Sequence, residues 1–137
     1  MKKVLTYSQS IENGVVKYLP KVESVTTYKD MQKIVGGPIE RIPVPMKING
    51  NVYDIYVNED GKNEDKLNPS IALLKYDVVV DFTVGTFFLT KEDEDGELVS
   101  LTPQEIHLIE KYVEANSKET CLYESQENKT VILNVSY

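Results

Sequence analysis

Asn-Gly occurs twice in this chain, at Asn13-Gly14 and Asn49-Gly50, and each pair adjoins short runs rich in β-branched and aromatic residues. Both residue types tolerate the left-handed backbone of a two-residue hairpin turn, so each pair is a strong hairpin signal. The first joins residues 3–7 to residues 14–19, which reads as a hairpin or as two edge strands. The second opens residues 51–57, where Tyr53, Ile55 and Val57 share one face and Asp54 marks the other, as in a half-buried strand. Residues 39–48 read as an edge strand, because Pro43 and Pro45 alternate and neither can donate to a central ladder. Asp77-Val-Val-Val-Asp81 and Thr83-Val-Gly-Thr-Phe-Phe-Leu89 are the most apolar β-prone segments and predict the centre of a sheet. Gly85 inside the second marks a bulge or a close approach.

Two helices interrupt the strands. Thr27 with Asp30 three positions on forms a capping-box-like start, Tyr28, Met31, Ile34 and Val35 fall at helical spacing, and Gly36-Gly37-Pro38 stops the turn. This predicts a helix over 28–35. Thr102-Pro103-Gln104-Glu105 is the clearest local signal, with Thr at the N-cap, Pro at the first helical position and Glu two further on. It predicts a helix over 103–115 that buries Ile106, Ile109 and Val113. Residues 62–70 are polar and contain Asn68-Pro69, hence a loop, with Ser70 capping a short turn through Leu74. Beyond Asn116, residues 120–123 and 130–135 read as a terminal hairpin around residues 126–129. The pattern predicts one α+β domain over 1–137, with a largely antiparallel sheet and two helices.

At 137 residues the chain is long enough for one packed core without disulfides. One cysteine, Cys121, and one histidine, His107, make neither an internal disulfide nor a zinc site of the usual kind, so no metal or cofactor is expected. The first ten residues lack the apolar region of a secretion signal, and no run is long enough to span a bilayer, which predicts a soluble cytoplasmic protein. The net charge of −7 disfavours direct binding to nucleic acid or to anionic membrane, because both attract clustered Lys and Arg.

The common nucleotide-binding and hydrolase motifs are absent. His107 has no visible nucleophile beside it and reads as an exposed or half-buried helix residue, and Cys121 falls in a predicted strand without basic neighbours and reads as packing. The acidic residues 92–97 do not form a calcium loop, since counting back from Gly96 puts Lys91 first and Thr102 twelfth. Gly61 fails in the same way, and both read as Asp-Gly hairpin turns. Nine tyrosines offer flat apolar faces with a hydroxyl, although sheet packing explains most of them.

Met31-Gln-Lys-Ile-Val-Gly-Gly-Pro-Ile-Glu40, Val57-Asn-Glu-Asp-Gly-Lys62, Asn68-Pro69, Val84-Gly-Thr-Phe-Phe-Leu89 and Asp95-Gly-Glu-Leu-Val-Ser-Leu-Thr102 together resemble a family of small proteins of unknown function from bacteriophages, plasmids and Gram-positive bacteria. The resemblance covers residues 22–115 and leaves the terminal hairpin, 116–137, outside. It implies a phage or mobile-element setting and supplies no catalytic residues.

That setting, with no catalytic constellation, leads to the expectation of a non-enzymatic protein that sequesters a small nucleotide-derived molecule, such as a host defence signal. The ligand-binding candidates are Gln32, Gly36, Gly37, Glu40, Arg41, Asn58 and Asn68, mostly polar groups or glycines at turns. An anionic ligand needs local cations, for which Lys33, Arg41, Lys47 and Lys62 are available. The alternative is an acidic inhibitor that blocks a host protein, by nucleic-acid mimicry, through residues 92–97 and Glu105, Glu110 and Glu114. An enzyme acting on a nucleotide would draw its acid or base from Glu40, Asp81 or His107. Edge strands at both termini would suit a homodimer.

Overall fold

The computed structural model describes residues 1–63, 68–123 and 126–137. The elements run β1 (Lys2–Glu12), β2 (Val15–Val25), α1 (Tyr28–Val35), β3 (Ile39–Arg41), β4 (Met46–Ile48), β5 (Asn51–Asn58), a 3-10 turn (Gly61–Asn63), β6 (Pro69–Lys75), β7 (Val78–Val84), β8 (Phe87–Glu92), β9 (Leu98–Val99), α2 (Pro103–Ala115), β10 (Ser117–Thr120) and β11 (Lys129–Ser136). With 54% strand against 18% helix, the fold is β-dominated, and the expected α+β class does not hold. The strands outrun their apolar runs. β1 and β2 pair along their whole length from Lys2↔Val25 to Glu12↔Val15, carrying polar residues 8–10 into the ladder.

Eight strands follow one another in the order β3-β5-β8-β1-β2-β11-β6-β7 and curl into a half-barrel. Pairing is antiparallel except where β11 runs parallel to β2 and to β6. The concave face carries Leu5, Tyr7, Tyr53, Ile55, Val57, Ile71, Leu73, Phe87, Leu89, Leu133 and Val135, and α2 fills the concavity with Ile109 and Val113. On the convex face Val4, Val25 and Phe88 meet Val35, Met31 and Ile34 of α1. The strict inside-outside alternation of β1, β5 and β8 therefore builds two cores, one on each side of the sheet.

Both helices match their predicted spans and both caps close as the sequence implies. Asp30 N–H donates to Thr27 Oγ1 at 3.3 Å while the Asp30 carboxylate accepts from Thr27 N–H at 3.0 Å. Glu105 and Thr102 repeat the exchange at 3.1 Å in each direction. The Glu105 carboxylate also accepts from the Tyr53 hydroxyl at 2.8 Å and lies 3.0 Å from Lys91 Nζ, which pins α2 to β5 and β8. Asn13-Gly14 and Asn49-Gly50 have positive φ at both positions, as two-residue hairpin turns require.

Several expectations fail. The stretch 83–89 is not one strand: the chain turns at Gly85, φ +75°, whose N–H is held by the Asn68 carbonyl at 2.9 Å, separating β7 from β8. β8 is central, but β7 is the end of the sheet, with Val78, Val79 and Val80 exposed. Ser70 does not cap a turn. It lies in β6, its hydroxyl 3.1 Å from that of Thr83. The predicted loop over 62–70 falls partly on residues 64–67, outside the described residues. Gly61 opens a 3-10 turn instead of a hairpin, and a Cβ there would meet Val84 Cγ2 at 3.1 Å. The partner of β11 is 117–120 and not 120–123, which leaves Cys121 exposed in the loop. Residues 92–97 do form the turn between β8 and β9, where the Asp93 carboxylate accepts from the N–H groups of Asp95 and Glu97 at 2.9 Å. β1 and β11 both lie inside the strand order and not at its ends, although β1 pairs with β8 only over Leu5 to Tyr7.

The placement of β7 has a direct test in chemical denaturation. Val80→Lys, at a position 53% exposed, changes the unfolding free energy by less than ~0.5 kcal/mol. Phe87→Ala, in the concave core, costs about 3–5 kcal/mol. Comparable losses for both would return β7 to the interior.

Candidate functional site

β2 and β11 pair only at Lys129↔Val15 and Thr130↔Val16 and then part. A cleft of about 440 Å³ opens there, lined by Tyr7, Lys17, Tyr18 and Pro20 of the first hairpin and by Glu110, Val113, Glu114, Ser117, Glu119 and Val131. Its floor is aromatic. Tyr7 stacks on Phe87 with centroids 5.1 Å apart, and Tyr18 stands edge-on to both rings at 5.6 Å. Tyr18 is anchored by donating its hydroxyl proton to the Ser70 carbonyl at 2.5 Å. Tyr7 is only 3% exposed, yet its hydroxyl has no hydrogen-bond partner among the described residues. An unpaired buried hydroxyl costs on the order of 1–3 kcal/mol. Burial raises the pKa of both phenols, with the Glu110 charge adding to the effect on Tyr7, so both keep their protons at neutral pH.

A second, smaller cleft of about 140 Å³ lies where the curled sheet brings β7 opposite β3 and β5. Glu40, Asn58, Lys62, Asp81 and Phe82 line it. Lys62 Nζ sits 2.6 Å from Asp81 Oδ1 and 4.5 Å over the Phe82 ring, and this hydrogen bond holds the Asp81 carboxyl below its usual range. A third groove, on the convex face, is lined by Thr6, Ser8, Lys21, Lys33 and Thr86.

Of the residues selected from sequence, Gln32, Gly36, Gly37 and Asn58 form one knot. The Gln32 carbonyl accepts from the N–H groups of Gly36 and Gly37 at 2.8 and 3.1 Å, Gly36 being the left-handed C-cap of α1. The Asn58 side chain donates to the Val35 carbonyl at 3.2 Å and accepts from Asp60 N–H at 2.8 Å. A Cβ on Gly37 would meet the Asn58 amide at 2.9 Å. Glu40 and Asn58 reach the small cleft. Asn68 holds Gly85 through its carbonyl. Arg41 lies 4.0 Å from Asp54 and lines none of these three clefts. The candidate cations are dispersed: Lys62 lines the small cleft, Lys33 the convex groove, and Lys47 is exposed on β4. Glu40 and Asp81 share the small cleft while His107 is exposed on α2. Among the described residues no group of three His, Cys, Asp or Glu side chains is placed to hold a metal ion, and no helix is long and apolar enough to cross a membrane.

Tyr7 and Tyr18, the floor of the aromatic cleft between β2 and β11, were not singled out from sequence. Their alternation marks them as inward-facing, but nothing local shows that β2 and β11 separate above them.

The Gly37–Asn58 contact predicts coupling. Asn58→Ala leaves the Val35 carbonyl and the Asp60 N–H without their partner and costs about 1–3 kcal/mol. Gly37→Ala destabilises through the clash, and the double variant costs less than the sum because the amide is then gone. Strict additivity in urea denaturation would refute the contact. The tyrosines predict an alkaline limit. Burial first, and the Glu105 carboxylate second, push the Tyr53 hydroxyl from 10.0 up to about 12. The native state thus keeps a proton that the unfolded state releases, so this stability is complete below about pH 10 and is lost as pH rises to about 12. The denaturation midpoint falls over that window, less steeply in Tyr53→Phe. A midpoint flat to pH 12 would contradict the burial of these phenols.

No curated protein and no solved structure matches the chain. Residues 10–115, spanning both helices and β1 to β9 in whole or part, match the model of a domain of unknown function, DUF3846. The chain is therefore a member of the DUF3846 family.

Proposed function

We propose that this chain is a non-enzymatic accessory protein of a phage or mobile element that binds a small molecule and holds it out of circulation. The observation that carries the reading is the buried, unpartnered Tyr7 hydroxyl beneath the aromatic floor of the cleft between β2 and β11. A buried polar group kept without a partner weakens the fold, and a ligand that hydrogen-bonds to it offsets that loss. The rings of Tyr7 and Tyr18 with Val113 and Val131 suit a flat apolar group. A nucleotide-derived molecule, such as a host defence signal, enters by its base, with its phosphates directed outward from Glu110, Glu114 and Glu119. The cleft lacks a paired nucleophile and base, which fits retention of a ligand better than its conversion.

A second reading, an acidic inhibitor of a host protein, draws on the exposure of Glu110, Glu114 and Glu119 along α2 and β10. It predicts a host complex that dissociates at high salt.

The test is native mass spectrometry of the protein after incubation with a small-molecule extract of infected, defence-active cells. Sequestration predicts a stoichiometric ligand released unchanged on denaturation, and its loss in Ser117→Trp, which fills the cleft. Tyr7→Phe weakens retention yet raises the unfolding free energy by about 1–3 kcal/mol, because it removes an unpaired buried hydroxyl. A ligand released in altered form would replace sequestration with catalysis. Repeated absence of ligand would favour the inhibitor.

A further inference from the structure

The charges around the Tyr7 cleft are one-sided. Glu110, Glu114 and Glu119 line it against a single ammonium, Lys17, and that ammonium lies 3.9 Å from the Glu12 carboxylate. None of the cations available for a phosphate ligand, Lys33, Arg41, Lys47 or Lys62, reaches it. An anion entering this space would meet three exposed carboxylates, whose repulsion is strongest at low salt. A cation meets compensating charge, and the aromatic lining of Tyr7 and Tyr18 adds the attraction of ring π clouds for positive groups. The Tyr7 hydroxyl, which no described residue hydrogen-bonds, is buried beneath this lining. A protonated amine supplies donors and no acceptor, and so suits a rim of carboxylates.

We infer that the Tyr7 cleft selects a small organic cation, a flat apolar body carrying a protonated amine, with the body over Tyr18, Val113 and Val131 and the amine among the rim carboxylates of Glu110, Glu114 and Glu119. This rests on the reading of the cleft as a ligand seat and adds the sign of the ligand's charge. Any nucleotide-derived ligand then binds here through an uncharged or protonated end.

Three probes sharing one ring separate charge from shape: tryptamine, its neutral alcohol analogue tryptophol, and indole-3-acetate. Isothermal titration of the full chain is expected to show tryptamine binding about tenfold more tightly than tryptophol, the worth of one such charge contact, with indole-3-acetate weakest. Glu110→Gln combined with Glu114→Gln, both at exposed positions, removes the advantage of tryptamine and leaves tryptophol unchanged. Ser117→Trp abolishes binding of all three. Equal affinity for the three probes, or preference for indole-3-acetate, overturns the charge selection while leaving the cleft as a ligand seat. Binding of tryptamine that survives Ser117→Trp, or no binding of any probe at millimolar concentration, overturns the inference. The sequestration reading stands or falls separately, on whether the protein retains a ligand from the cell extract.

Discussion

The Glu105 carboxylate decides how α2 sits in the half-barrel, and the large cleft depends on that decision. One side chain accepts from Thr102 N–H, closing the helix cap, and from Tyr53 and Lys91, fixing the helix to β5 and β8. Burial opposes its ionisation, and the Lys91 and Tyr53 hydrogen bonds more than offset it, so the carboxyl titrates below its usual range. Hydrogen bonds to a charged group contribute about 1.5–3 kcal/mol each, more than an ordinary surface ion pair. Because the anchor is in the first turn, it sets the helix rotation. Ile109 and Val113, four and eight positions on, then point into the core, while Glu110 and Glu114 come round to the rim of the cleft.

What was legible in the sequence was local. Both helices and their caps follow from side chains three positions apart, and two hairpins follow from Asn-Gly. The order of strands was not legible, because it is set by pairings distant along the chain. Asp77-Val-Val-Val-Asp81 has the composition of a central strand, yet β7 lies at the end of the sheet. The central position is taken by β8, which follows the break at Gly85, where φ is positive and the Asn68 carbonyl accepts from the Gly85 N–H. The low helix share has the same origin: polar stretches such as Ser8 to Ser10 pair because β2 lies opposite them, a contact that periodicity cannot register.

The site was legible in a different way. Glycines and amides at turns suggested Gln32, Gly36, Gly37 and Asn58, and those four do come together, in a knot that ties the end of α1 to the end of β5. The Gln32 carbonyl is spent on the N–H groups of Gly36 and Gly37, and the Asn58 side chain on the Val35 carbonyl and the Asp60 N–H. Glu40, like Asn58 and Glu59, lines the small cleft. A polar residue beside a glycine therefore flagged close approach correctly, but the approaching group was another part of the same chain.

Tyr7 shows the converse. In sequence it is one more inward tyrosine among alternating residues, and only the parting of β2 from β11 leaves its hydroxyl without a neighbour. Phenylalanine at this position would keep the stacking on Phe87 and remove the unpaired oxygen, so packing alone favours the residue that is absent. Tyr18, next to it, carries the same hydroxyl and spends it on Ser70. Two tyrosines in contact, one hydroxyl satisfied by Ser70 and the other buried without a partner among the described residues, divide the aromatic floor into a fixed half and an unsatisfied half. The acidic rim that α2 and β10 place above it gives the cleft its electrostatic sign.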